Sequence, residues 1–289
     1  MMSESTPTTQ SAPDVVILRP SRGWSALNLR DIWVYRELVY FLTWRDIIVR
    51  YKQTILGASW AIINPVINMI VLQVVFGNFA GMEAEGGLPG PLFRFAAVLP
   101  WGLFSSALGS AGKSMLTNRS ILTKIYFPRL IIPLSSVLSG LVDFGISFLV
   151  LVGMLIFWGV KPTLGMLALP LTVLLALVSA LGLGLWFSAL NVLYRDVGYV
   201  LPVLTQLLLF ISPVGYSTSK VPVNLQYLYA MNPVVGVVES FRWATLGTVP
   251  SNSLPLATLV AISSAVAIVL LVSGLFYFRR MERTFADMV

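Results

Sequence analysis

IIPLSSVLSGLVDFGISFLVLVGMLIFW (131–158) carries one charged residue, Asp143, in 28 positions. A helix rises 1.5 Å per residue, and roughly 20 apolar residues cross the hydrocarbon core of a bilayer, so this run is long enough to span. Working outward, comparable apolar runs occupy 57–80, 95–112, 164–193, 199–216 and 254–278. The second contains Pro100 and Gly102, and the fifth has Pro202 and Pro213 at its ends. The expected fold class is therefore all-α integral membrane, with six transmembrane helices. Composition agrees. The 289 residues are 57% hydrophobic and 11% charged, against about a quarter charged in a soluble domain. There is too little polar surface to cover a water-soluble globule of this size.

The sequence holds no cysteine and no histidine. That excludes disulfides, thiol catalysis, Cys/His zinc sites and any dyad built on imidazole. Residues 1–14 (MMSESTPTTQSAPD) are polar and carry no basic residue ahead of an apolar core. They read as the start of a disordered tail over 1–28, not as a signal peptide.

The segment LQYLYAMNPVVGVVESFRWATLG (225–247) is apolar but interrupted by Asn232-Pro233, Glu239 and Arg242. A charge at mid-bilayer costs about 2.5–3.5 kcal/mol on insertion scales. The segment is expected to form a re-entrant or interfacial helix pair within 218–247, with Glu239 and Arg242 able to pair at i,i+3. Basic residues then set the orientation. With six spans and the N-terminus inside, 15 Lys and Arg fall on inside segments and 4 (Arg94, Lys161, Lys220 and Arg242) outside. Both termini are expected in the cytoplasm, the C-terminal tail being 279–289. The net charge of +7 is thereby a topology signal, and nucleic acid is excluded as a partner.

Ahead of the first span, 29–56 reads as an amphipathic interface helix. At 100° per residue Trp33, Tyr40, Trp44 and Tyr51 share one stripe, while Asp31, Arg36, Asp46 and Arg50 lie on other faces and Glu37 falls near the stripe. Aromatic rings with flanking Arg and Lys suit a helix lying between acyl chains and headgroups. GSAGKS (109–114) approaches a phosphate-binding loop, but Ala107 stands where the pattern needs glycine and an apolar helix precedes it instead of a strand. Lys113 is read as a membrane anchor. Asp143 is the intramembrane carboxylate. No second acidic residue or histidine lies mid-span to form a proton relay, so it is read as a hydrogen-bonding group within the bundle. The small-residue pairs Gly77/Gly81, Ser106/Ser110, Ser136/Gly140 and Ala180/Gly184 allow close helix approach.

Several stretches together resemble the permease subunit of bacterial type-2 ABC exporters, in particular those for O-antigen and other cell-surface polysaccharides. They are WRDIIVRYKQTILGASWAIINPVI (44–67), LPWGLFSSAL (99–108), NRSILTKIYFPRLIIPLSSVLSGLVDF (118–144), LNVLYRDVGYVLP (190–202), SPVGYS (212–217), NPVVGVVESFRW (232–243) and FRRMERTFADMV (278–289). The resemblance implies a homodimer working with two copies of a separate ATPase subunit, which uses ATP and Mg; this chain binds no cofactor. It implies a lipid-linked polysaccharide moved from cytoplasm to periplasm across the bacterial inner membrane, with membrane lipids as further contacts. Teichoic acid, capsule, a glycolipid or a drug is the alternative cargo. The loop 113–130 would carry a coupling or gate helix, which assigns Arg119, Ser120, Leu122, Lys124 and Tyr126, with Arg195 and Asp196 at the same face, to ATPase coupling. A lipid pyrophosphate head needs cationic donors. Arg50 and Lys52, at headgroup depth, and Arg129, across the entrance if the coupling loop folds back, are the expected ones; the alternative is that all three are topology anchors. A membrane-embedded transferase is disfavoured, because the chain has no histidine and no paired acidic motif near the interface.

Overall fold

The computed structural model describes residues 29–52, 54–122, 127–194 and 196–288, with side chains from Ile32 to Glu282. Those residues form helices and no strand. In chain order they are α1 (Leu29–Val34), α2 (Arg36–Lys52), α3 (Gly57–Phe79), α4 (Gly90–Thr117), α5 (Arg119–Leu122), α6 (Ile131–Phe157), α7 (Leu164–Leu193), α8 (Val197–Phe210), α9 (Gln226–Ala230), α10 (Pro233–Leu246) and α11 (Leu256–Met288). Five of them, α3, α4, α6, α7 and α11, are long and apolar enough to cross a membrane.

The fifth predicted span differs. Its helix, α8, has 14 residues and covers about 21 Å, short of a hydrocarbon core of about 30 Å. The chain turns over 211–214 because Pro213 has no N–H and disfavours helical geometry at Ser212. The Ser212 hydroxyl closes the turn by donating to Leu208 O at 2.6 Å. The second span differs the other way: α4 runs through Pro100 for 28 residues. Arg94, expected in an outside loop, is therefore one turn inside α4 and buried. The predicted interface helix is interrupted at Tyr35 and ends at Lys52. The last helix continues through 279–288, where a tail was expected.

α4 is the hub. It packs against α6 and α7 most extensively, and also against α3, α8 and α10. Its Ala97, Phe104, Ala107, Leu108 and Ala111 are buried against Val137, Ala180, Val234 and Val238. Apolar side chains gain little by leaving lipid, so adhesion in a membrane rests on close packing and interhelical hydrogen bonds. Both are present. A Cβ on Gly182 of α7 would lie 2.7 Å from Leu271 N of α11, and one on Gly184 would lie 2.6 Å from Ala111 Cβ. Asn191 Nδ2 donates to Gly112 O at 3.1 Å, and Trp186 Nε1 donates to Ser273 Oγ at 3.1 Å.

One end of the bundle gathers the basic segments. Leu42 of α2, Met115 of α4, Phe127, Leu130 and Ile131 at the start of α6, and Phe278 of α11 form one buried cluster there. Arg45 Nη2 joins α2 to the end of α4 by donating to Asn118 Oδ1 at 2.6 Å. The loop 113–130 is thus anchored on both sides, at Asn118 and at Phe127–Leu130. The outer face of α2 shows Tyr40, Phe41, Trp44, Ile48 and Val49, an apolar and aromatic surface of the kind that meets acyl chains.

Candidate functional site

α4 turns one polar stripe away from the core. Gly102, Ser105, Ser106, Gly109 and Lys113 follow one another at helical spacing, and none of them is buried. A Cβ on Gly102 or Gly109 would meet nothing within 4 Å, so the space above the stripe is open. α3 forms one wall, with Asn64 and Asn68 exposed one helical turn apart. α8 forms the other, with Thr205 and Gln206. The result is a trough made of two adjoining cavities of about 540 Å³ and 460 Å³, which share Trp101, Ser105 and Ser106. In helices this apolar, exposed amides and hydroxyls call for water, a polar ligand or a second protein surface above them.

Asp143 faces the α3 side of this trough. It lies about 18 Å along α6 from Ile131. Arg50 Nη1 and the Tyr51 hydroxyl donate to its two carboxylate oxygens, and Arg50 Nη2 donates to Ser139 Oγ at 3.2 Å. Asp143 thus accepts from two residues of α2. Arg50 differs from the expectation of headgroup depth. Thr43 beside Ser135, Arg50 beside Ser139 and Asp143, and Ala61 beside Ser147 are successive contacts, so α2 and α3 climb alongside α6 and carry Arg50 to its middle. Lys52 is exposed at the end of α2. Arg129 is drawn to α11: its N–H donates to Glu282 Oε1 at 3.4 Å and its Nη1 to Glu282 O at 2.9 Å. The three predicted headgroup cations are therefore not brought to one point.

Of the predicted coupling residues, Arg119 and Ser120 are exposed on α5, Leu122 packs at the edge of the basic-end cluster, and Asp196 is exposed at the start of α8. Lys124, Tyr126 and Arg195 lie outside the described residues. α4 and α7 meet through Ser114–Ser188 and Asn191–Gly112, so their C-terminal ends are at the same end of the bundle. This places α5 and Asp196 there too.

At the opposite end, 225–247 forms two helices, α9 and α10. Asn232 starts α10, its Oδ1 accepting from Val234 N–H at 3.1 Å with Pro233 next, and Gly247 ends it at φ 70°. That is the usual start and stop chemistry. Glu239 and Arg242 pair at 3.5 Å with both side chains buried. Arg242 also donates to Tyr216 O at 3.2 Å and Val214 O at 3.1 Å, and its guanidinium lies 3.8 Å from the Phe93 ring centroid. Glu239 accepts from Thr218 Oγ1 at 2.6 Å. Burial pushes the Glu239 carboxyl up, against the pull of Arg242 and the Thr218 donors. Arg94 is held nearby, donating to Gln73 Oε1 at 2.7 Å and Met82 O at 2.7 Å, where α3 widens to π geometry over Gln73–Phe79.

Comparison with known proteins accords with this arrangement. The family model described as ABC-2 type transporter matches residues 37–246, from α2 through α10. The chain belongs to the ABC-2 type transporter family. Among its relatives is the O-antigen export system permease protein RfbA of Myxococcus xanthus, 29% identical over 257 residues, covering 88% of this chain and 96% of that one. RfbA of Klebsiella pneumoniae is 25% identical over 254 residues, 88% and 95% of the two chains. The polysialic acid transport protein KpsM of Escherichia coli is 26% identical over 221 residues, 74% and 83%. In this ABC-2 transporter chain the matched region includes the floor and both walls of the trough and both members of the Arg50–Asp143 pair.

The trough was not singled out in the sequence. Its signal was present in Asn64/Asn68 at i,i+4 within an apolar run, and in Gly102, Ser106, Gly109 and Lys113 on one helical face. Serine and glycine in such a run equally signal helix packing, and that is how Ser106 was read.

Proposed function

We propose that this chain is the channel-forming membrane subunit of an exporter that moves a lipid-linked, O-antigen-like polysaccharide from cytoplasm to periplasm across the inner membrane. A separate subunit hydrolyses ATP to drive it. The polar trough carries this reading. It is an uncovered groove along a helix bundle of the ABC-2 family, with Trp101, Leu201 and Leu209 lining it beside its hydroxyls and carboxamides, and those polar groups both donate to and accept from sugar hydroxyls. Two copies of the chain, trough facing trough, enclose the path. α8, with the turn after it, supplies the sixth crossing, and α9–α10 form a re-entrant cap on the periplasmic side.

The basic end faces the cytoplasm on this reading, in keeping with the charge asymmetry. The ATPase docks on α5 and the start of α8, through Arg119, Ser120, Leu122, Lys124, Tyr126, Arg195 and Asp196. Arg50, Lys52 and Arg129 supply positive charge at separate points along the route of the anionic head of the substrate. The relation to KpsM favours one second reading, a capsule-type acidic polymer as cargo.

The test is a plug. Gly109→Trp puts an indole into open space, so the chain should insert and assemble normally. Surface polysaccharide should fall at least tenfold in cells, and lipid-linked polymer should accumulate inside. Normal surface polymer with a stably inserted Gly109→Trp chain refutes the trough as the path.

A further inference from the structure

The Arg50–Asp143 contact is built like an occupied anion site. Two donors from α2, the Arg50 guanidinium and the Tyr51 hydroxyl, converge on one carboxylate through different oxygens, and Ser139 holds the second arm of the guanidinium. A guanidinium fork with an added O–H donor matches phosphate oxygens as well as it matches a carboxylate. The pair is also not sealed. The side chains are 33% and 28% exposed and form part of the wall of the 540 Å³ cavity. A pair serving only to tie α2 to α6 gains nothing from facing a cavity.

We infer that Asp143 is a resident stand-in for substrate: Arg50 and Tyr51 hold its carboxylate while the trough is empty and exchange it for the phosphate oxygens of a lipid-linked pyrophosphate. This rests on the proposed function, which supplies the anionic head. The exchange has a physical purpose. An unpaired guanidinium at this depth is costly and would hold a polyanion too firmly to release it. A tethered carboxylate removes the first problem, and by competing for the same donors it removes the second. No bond is made or broken. One acceptor replaces another at the same donors.

The test uses the full-length chain in phosphatidylcholine nanodiscs, with farnesyl pyrophosphate as the probe. Inorganic pyrophosphate and phosphatidylglycerol serve as competitors, to separate a lipid-borne head from free phosphate and from ordinary headgroups. Asp143→Asn removes the competing charge and should tighten probe binding by about tenfold or more, since the donors no longer give up a charged acceptor to take the probe. Asp143→Glu should bind like the wild type. Arg50→Ala should abolish the gain when combined with Asp143→Asn. Asp143→Ser is the second neutral variant, should Asn fail to insert. Equal binding by the wild type and the neutral variants overturns the inference, and so does a gain that survives Arg50→Ala. Displacement by phosphatidylglycerol as effective as by unlabelled probe also overturns it, as a headgroup site. Surface polymer is scored in parallel. A chain that exports but never binds the probe sinks this inference alone, whereas a wild-type chain whose loss leaves surface polymer unchanged sinks the proposed function.

Discussion

Arg242 is the residue whose removal should do most damage at the end of the bundle opposite the basic segments. Its side chain is 0% exposed and that of Glu239 is 3% exposed. Arg242→Met takes away the partner of a buried carboxylate, leaving Glu239 with the Thr218 N–H and Oγ–H as its remaining donors. It also strips a donor from the carbonyls of Val214 and Tyr216. Breaking one side of a buried pair costs about 3–5 kcal/mol, and each orphaned buried acceptor adds about 1–3 kcal/mol unless the loop shifts to recover water. The expected loss is at least about 3 kcal/mol. Arg242→Lys keeps the charge without the planar fork that spans two carbonyls and a carboxylate, so it should fall between wild type and Met. Glu239→Gln combined with Arg242→Met removes the stranded charge and should be less harmful than the two single losses added, with a coupling of about 1–3 kcal/mol. Unfolding of the purified chain in mixed detergent micelles, followed by tryptophan fluorescence, measures each variant. An Arg242→Met loss under about 1 kcal/mol, or strict additivity in the double variant, would refute the reasoning.

Two further outcomes are expected. Gly182→Val should destabilise the α7–α11 contact by about 1–3 kcal/mol in the same unfolding assay, because its Cβ meets Leu271 backbone, which cannot yield as a side chain does. Arg119→Glu with Lys124→Glu should leave insertion intact, as judged by membrane level, while surface polymer drops severalfold and co-purification of the ATPase weakens; normal export in that variant would reduce the segment to a linker.

Much of the fold was legible because membrane spans are written in long apolar runs. α6 matches the quoted stretch to within a residue, and α7 begins and ends where hydropathy places it. The failures share a cause: charge and proline are read locally, and their cost is decided by tertiary contacts. Pro100 reads as weakening a helix, yet α4, packed against neighbours on several sides, runs on through it. Arg94 reads as a loop charge because nothing in its neighbourhood shows that Gln73 and Met82 wait for it 12 to 21 residues away. Asp143 is legible as an intramembrane hydrogen-bonding group, but its partner is not. Arg50 lies 93 positions earlier on a helix expected to stay at headgroup depth.

The trough shows why the site was harder to read than the fold. Gly102 and Gly109 have open space where a side chain would be, while Gly182 and Gly184 sit against backbone or Cβ atoms of neighbouring helices. The four residues are one type in similar apolar surroundings, and their uses are opposite. Glycine between helices is there because a larger residue would push them apart; glycine on the trough floor leaves the folded bundle indifferent to a larger residue and, on the proposed function, keeps the space free for the polymer. Sequence alone cannot separate the two, since both follow from the absence of a side chain. Function and stability should therefore come apart along α4 and α7. Bulk added at Gly109 should spare the fold and stop transport, whereas bulk added at Gly182 should act first on the packing of α7 against α11, and on transport only through it.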